Sequence, residues 1–346
     1  MKLLNSLSVA NKRVLVRCDF NVPSDKKGNI LEDFKIKETI PTIKYLIEQK
    51  AKLILMSHLD PESTGVASPQ YKMDNVAERL SEYLKMPIKK ADDCIGTDIE
   101  NQSNSLVPGE ILLLENLKFY KEENEGDLEF AKKLSYLGDI YVNDAFGTCH
   151  RNYASIAGVP QFLPACMGLL LEKEINSLNK ILISPEKPMI SIIGGTKVGT
   201  KAKLIEKLSE NSDFVIVSGL IKKEAIDKAV KFKYPDKIIG PDDNLAALDI
   251  DKKTIEMFKK KIMSAKTILW NGPFGKFEDS KYAKGTLAIA KAIIESKAFS
   301  VVGGGETVEF LNKQGIIQQF SHVSTGGGAM LQYLSGDEMP GLKALM

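Results

Sequence analysis

Residues Met189–Lys201 read MISIIGGTKVGTK, and their types and spacing suit one kind of chemistry, the holding of an anion. Met189–Ile193 is short, apolar and rich in Ile, the pattern of a buried strand. Gly194 and Gly195 stop it, and Ala202–Ser209 then places Leu204, Ile205 and Leu208 at helical spacing. Glycines between strand and helix let backbone approach a ligand, and free N–H groups at a helix start attract anions. Lys197 and Lys201 stand at that start, where a cation opposes the helix dipole. A bound phosphate would account for both. The loop is not a full Walker A pattern, and a glycine turn with two solvated lysines fits the same stretch.

A second set of polar residues follows strand ends in the first half. Lys12–Cys18 reads as a strand, and Asp19 and Asn21 lie just past it before Pro23. Leu53–Met56 leads to His58, Glu110–Leu114 to Lys118, and Asp139–Val142 to His150 and Arg151. Helices fall between them at Thr39–Glu48, Asp74–Leu84 and Leu128–Leu134. Strand alternating with helix implies a parallel sheet, so these exits share one edge, where open α/β sheets place ligands. Cations gathered there suit a small anionic substrate. Scattered surface charge and turn-capping Asp and Asn account for the same residues.

The second half repeats the alternation. Strands are expected at Met189–Ile193, Phe214–Val217, Lys237–Ile239, Thr267–Trp270 and Phe299–Val302, with helices at Ala202–Ser209, Lys222–Val230, Lys252–Ile262 and Tyr282–Glu295. Glycine clusters follow strands at Gly219, at Asn271–Gly275, at Gly303–Thr307 and at Gly326–Gly328. Several at one edge, beside Lys197 and Lys201, suggest a nucleotide bed with backbone against phosphates and base. Between the halves, Gly168–Ile183 is a long helical stretch without a Ser/Gly run, which fits a rigid connection between domains.

Composition narrows the class. At 346 residues the chain exceeds one ordinary core. A net charge of +2 gives no global field for nucleic acid. No apolar run is long enough to span a bilayer. Cys18, Cys94, Cys149 and Cys166 are scattered without a CxxC pair, and the histidines show no zinc spacing. The expectation is a cytoplasmic protein with free thiols, acting as a monomer, without nucleic-acid or membrane partners.

Taken together, RVLVRCDFNVP (13–23), SHL (57–59), LLLEN (112–116), VNDAFGTCHR (142–151), GGTKV (194–198), WNGPFGKFE (270–278), VVGGGET (301–307) and FSHVSTGGGA (320–329) resemble the phosphoglycerate kinases, nearly end to end. The resemblance implies an α/β fold of two doubly wound parallel-sheet domains facing across a cleft. An N-terminal phosphoglycerate-binding domain at 1–167 and a C-terminal nucleotide-binding domain at 184–335 would be joined by an interdomain helix at 168–183, with the tail 336–346 returning to the first. It implies phosphoryl transfer between 1,3-bisphosphoglycerate and ADP, giving 3-phosphoglycerate and ATP, with Mg2+ as cofactor. By position, Asp19 and Asn21 would hold the glycerate end, and His58, Arg151 and Lys118 its phosphate. Lys35, Lys197 and Lys201 would meet the transferring group. Gly194, Gly195 and Gly219 would lie at the nucleotide. Asn271, Pro273, Gly275 and Glu278 would line the nucleoside, Gly303, Gly304, Gly305 and Thr307 would cradle phosphates, and Glu306 would hold the metal.

The sequence also departs from the family. Lys35 and Lys118 replace arginines and cannot form the planar fork. Asp60-Pro61-Glu62 stands for Gly-Arg-Pro, Tyr153 for histidine, Glu306 for aspartate and Ala247 for glycine. Some tens of residues between Gly219 and Leu248 are missing. A working, trimmed kinase and a kinase-like protein that only binds nucleotide or a partner are the two readings these changes leave.

Overall fold

The computed structural model describes residues 1–60, 65–196, 198–199 and 201–346. Pro61, Glu62 and Lys197, singled out above, lie outside the described residues. The chain divides into two compact units, Met1–Lys173 with Glu338–Met346, and Glu174–Asp337. The division falls inside the long helix Leu169–Leu182 rather than setting that helix apart.

The first unit is built on a six-stranded parallel sheet. Its strands are β1 (Arg13–Arg17), β2 (Lys52–Met56), β3 (Lys89–Lys90), β4 (Ile111–Leu113), β5 (Ile140–Asn143) and β6 (Ala165–Met167), in the order β3-β4-β2-β1-β5-β6. The apolar runs of β1, β2, β4 and β5 are buried almost throughout, as strands covered on both faces require. Strand order reverses about β1, which lies between β2 and β5. At the end of β5, Asp144 Oδ1 accepts from the N–H groups of Leu170 and Leu171 at 2.9 and 3.1 Å, satisfying the first turn of helix Leu169–Leu182. The segment Glu338–Met346 is held on this unit by Gly341 N–H donating to Cys149 O at 2.9 Å.

The second unit carries β7 (Met189–Ile193), β8 (Phe214–Val217), β9 (Ile238–Ile239), β10 (Thr267–Asn271), β11 (Phe299–Gly303) and β12 (His322–Val323). Their order is β12-β11-β10-β7-β8-β9, again all parallel, with the reversal between β7 and β10. Each sheet has flanking helices, so the α/β architecture stands.

Several spans differ from the sequence reading. The helix expected from Thr39 begins at Phe34 and carries Pro41 inside it, which puts Lys35 in its first turn. The helix expected at Lys222 begins at Gly219, because Ser218 Oγ caps it by accepting from Ile221 N–H at 3.3 Å. The helix expected at Tyr282 begins at Lys284, and Ser280–Tyr282 is a 3-10 turn. Helices at Thr97–Ser105, Gly305–Lys313 and Gly328–Leu334, and strands β3, β6 and β12, were not expected.

At the reversal of the second sheet the backbone leaves no room for side chains. Gly194 N–H donates to Asn271 O at 2.8 Å, and Gly195 N–H to Pro273 O at 2.9 Å. A Cβ at Gly194 would stand 2.2 Å from the carbonyl oxygens of both Gly272 and Pro273. Trp270, the single tryptophan, is fully buried beside this point and donates from Nε1 to Gly272 O at 2.9 Å. Gly194→Ala is therefore expected to cost about 3 kcal/mol or more, since backbone atoms cannot yield as side chains do. Urea unfolding followed by Trp270 fluorescence checks this, and an unchanged midpoint would refute the close approach.

Candidate active site

The first unit gathers its polar residues where β1 and β2 end. Burial works to raise the Asp19 carboxyl, but the Lys35 ammonium, donating to Oδ2 at 2.9 Å, and neighbouring positive groups hold it below its ordinary range. Asp19 Oδ1 also accepts from Asn21 N–H at 3.1 Å. Asn21 and Asp60 exchange bonds, Nδ2 to Oδ2 at 3.3 Å and Asp60 N–H to Oδ1 at 3.2 Å. Lys118 is buried, and its amine donates to Asn124 Oδ1 and to Tyr153 OH at 3.0 Å, lying 4.1 Å from the Tyr153 ring centroid. Asp60 comes within 3.5 Å of the same amine. Arg151 is exposed, and His150 is half-buried with Nδ1 lacking a hydrogen-bond partner.

Sequence reasoning missed the group beneath these residues. Arg17 is fully buried at the end of β1. Its Nε donates to Ser155 Oγ at 2.8 Å, Nη1 donates to Cys18 O, and Nη2 lies 3.2 Å from His58 Nδ1 and 3.7 Å from Glu123 Oε1. Glu123 in turn accepts from Ser155 N–H at 2.9 Å and Ser155 Oγ at 2.5 Å. Burial, then the Arg17 charge, push the His58 pKa well below the usual histidine value. An arginine can only donate, so His58 Nδ1 accepts and the ring's proton sits on Nε2. His58 is thereby a neutral donor of fixed tautomer. The signal for this group was an arginine closing an apolar strand, a charge that must find partners once buried.

In the second unit a cavity of about 380 Å3 opens at the β7/β10 edge. Gly195, Gly219, Pro273, Gly275, Glu278 and Glu306 line it. The remaining expected residues, Lys197 apart, lie at the same edge. Lys201 donates from Nζ to Gly194 O, and a Cβ at Gly195 (φ +97°) or Gly272 (φ +91°) would meet that amine at 2.9 Å. Burial pushes the Lys201 amine down to about 8, with Glu306 opposing. Thr307 Oγ1 accepts from Gly272 N–H at 3.0 Å. Asn271 Nδ2 is buried without a hydrogen-bond partner, and Gly304 leaves space against it. Gly303 packs under Met330, and Gly305 and the exposed Glu306 open helix Gly305–Lys313.

Asp249 also lines this cavity and was not singled out. Its carboxylate accepts from the N–H groups of Ile250 at 2.9 Å and Gly285 at 3.0 Å, and burial raises its pKa. Among the described residues no group of three or more His, Cys, Asp or Glu could hold a metal ion. Glu306 fits a cation only as one carboxylate beside oxygens that a ligand brings, which is how Mg2+ is usually held.

The family description "Phosphoglycerate kinase" matches residues 4–231 and 222–337. A protein named phosphoglycerate kinase from Dictyoglomus turgidum is 42% identical over 388 aligned positions, covering 99% of this chain and 97% of that one. Another of that name from Aquifex aeolicus is 40% identical over 385 positions, covering 98% and 96%. A phosphoglycerate kinase structure from Pyrococcus horikoshii OT3 superimposes with a TM-score of 0.88 at 34% identity, covering 100% of this chain and 98% of that one. One from Coxiella burnetii gives 0.85 at 34% identity, covering 99% and 98%.

The buried Arg17 cluster yields a direct test. Arg17→Met should cost about 3–5 kcal/mol, because it strands the Glu123 carboxylate in the interior. Adding Glu123→Gln should recover part of that loss. Urea unfolding of both variants measures it, and a single variant as stable as the parent would exclude the pairing.

Proposed function

This chain belongs to the phosphoglycerate kinase family, and on that premise we propose which of its residues carry the reaction. It is a phosphotransferase with a carboxyl group as acceptor, a kinase of glycolysis. Nothing in the likenesses favours a protein that has kept the fold and lost transfer. The substrates are 1,3-bisphosphoglycerate and ADP in one direction, 3-phosphoglycerate and ATP in the other.

Phosphoglycerate binds the first unit. Asp19 and Asn21 hold the glycerate end, and the neutral His58 Nε2–H, Lys118 and the exposed Arg151 take its phosphate. Asp60 stands where it would repel that phosphate, and its links to Asn21 and Lys118 give way when substrate arrives. Lys35 brings the cation for the transferring group, kept on Asp19 until then. Nucleotide binds the second unit, with Gly219, Pro273, Gly275 and Glu278 along the nucleoside. Asn271, Gly303, Gly304, Gly305 and Thr307 lie at the phosphates, where the unpartnered Asn271 amide has a donor to give. Gly194 and Gly195 make room for Lys201, and Lys197 adds a second cation by its place in the motif. Glu306, with phosphate oxygens, holds Mg2+, which neutralises charge on the phosphates when bound. The protein acts as a monomer in the cytoplasm. Four buried, free thiols accord with a reducing compartment, and among the described residues no helix is long and apolar enough to cross a membrane.

The observation that carries this reading is the Lys201 amine seated among Gly194, Gly195 and Gly272 at the sheet's reversal. A loose phosphoryl transition state spreads charge over three oxygens, so its stabilisation falls mainly to placed cations. No general base is required when the acceptor is already a carboxylate or phosphate oxygen.

Two measurements follow. In a coupled assay of ADP phosphorylation by 1,3-bisphosphoglycerate, Lys201→Ala should lower turnover about 100-fold or more, and unchanged turnover would remove Lys201 from the reaction. The second uses its titration. With the free amine at about 8, bound phosphates favour the ammonium form, so the complex holds more protons than the free protein above that pH. Affinity for MgADP should therefore fall on raising the pH, about tenfold by pH 9. Lys201→Arg should flatten the profile, as calorimetry at several pH values would show.

A further inference from the structure

The helix Gly219–Asp227 crosses from β8 towards β9, and it also reaches back to the loop after β7. Ser218 Oγ donates to Gly195 O at 2.6 Å, fixing the start of the helix against that loop. One turn further on, Glu224 Oε2 accepts from Val198 N–H. The other oxygen, Oε1, accepts from Lys228 Nζ at 2.6 Å. Val198 is buried, and its carbonyl accepts from the N–H groups of Lys201 at 2.9 Å and Ala202 at 2.7 Å. Those two bonds turn the chain into helix Ala202–Asn211, with Lys201 as its N-cap residue. The Lys201 amine then closes onto Gly194 O.

The peptide groups of Val198 thus connect the Glu224 carboxylate to the main-chain N–H of Lys201, the residue whose ammonium closes onto Gly194 O. Val198 N–H would otherwise be an unsatisfied donor at the mouth of an anion-binding loop. A charged acceptor makes the bond to it stronger than a neutral one would. Glu224 lies in 222–231, the stretch that both parts of the family match cover.

We infer that Glu224 is a positioning residue for phosphoryl transfer: its carboxylate pins Val198, so that the turn ending in Lys201 delivers its ammonium to the nucleotide phosphates. This rests on the assignment of Lys201 above. Glu224 touches neither substrate nor reacting atoms in this role. Its effect falls on turnover more than on nucleotide binding, because the phosphates keep their other donors while the cation loses its placement.

Glu224→Ala, Glu224→Gln and Lys228→Ala test it by steady-state kinetics and by amide hydrogen exchange over 198–202. Glu224→Ala should lower kcat about tenfold with a smaller change in KM for MgATP, and should speed exchange at Val198, Lys201 and Ala202. Glu224→Gln keeps an acceptor for Val198 N–H and should restore most of the turnover. Lys228→Ala should leave kcat unchanged. Parental kcat and exchange in Glu224→Ala would overturn the inference. So would equal damage from Gln and Ala, or tighter nucleotide binding in both, which would make the carboxylate a competitor of phosphate. A Lys201→Ala variant as active as the parent would sink the Lys201 assignment instead. Exchange over 198–202 would then decide whether Glu224 holds the loop at all.

Discussion

Two strand ends, those of β7 and β10, approach so closely at Gly194 and Gly272 that only main chain fits between them. The rest of the nucleotide-side geometry hangs on this constraint. It sets Gly194 O as the seat for the Lys201 amine, and it turns Gly272 N–H towards Thr307 and Gly272 O towards Trp270. A cation in such a place is surrounded by backbone dipoles and little water. That explains in one stroke why the amine titrates low and why phosphate oxygens would be attractive to it.

The first unit solves its own anion problem by a different route. There the ends of β1 and β2 carry side chains with full charges, and the unit buries one of them, Arg17, entirely. Glu123 and Ser155 balance the guanidinium from below, and His58 meets it from above. The result is a layered arrangement. A charge that never meets solvent dictates which proton the buried imidazole of His58 carries. Asp19 and Lys35 form a second, shallower pair, the carboxylate buried and the lysine partly exposed, where a cation can be lent and recovered.

Much of this was legible in the chain's letters. The spans of β7, β8 and the helices Asp74–Leu84 and Lys252–Ile262 agree with the periodicity to the residue, because strong apolar spacing there ends at Gly, Ser, Asp or a charged turn. The strand-end position of Asp19, His58, Lys118, Gly194 and Asn271 follows from the same alternation. What was illegible depends on distant partners. β3 and β12 are two-residue edge strands that exist only by register with β4 and β11. Phe34 begins a helix that Pro41 argued against, yet the helix runs through it: the prolyl ring removes one backbone bond in the turn before it, and the neighbouring turns keep theirs. Arg17, Asp249 and Glu224 read as ordinary charges until the fold shows what each one faces.

The return of Glu338–Met346 to the first unit has a consequence for how the protein is made. Gly341 sits where a Cβ would come within 2.6 Å of Ile156, and Leu342 and Leu345 are buried beside it. Domains generally fold in the order in which the ribosome delivers them. Here the whole of Glu174–Asp337 emerges before the residues that seal its predecessor. The unit translated first is therefore finished second, and during elongation it waits with an uncovered apolar seat that only the trailing segment can close.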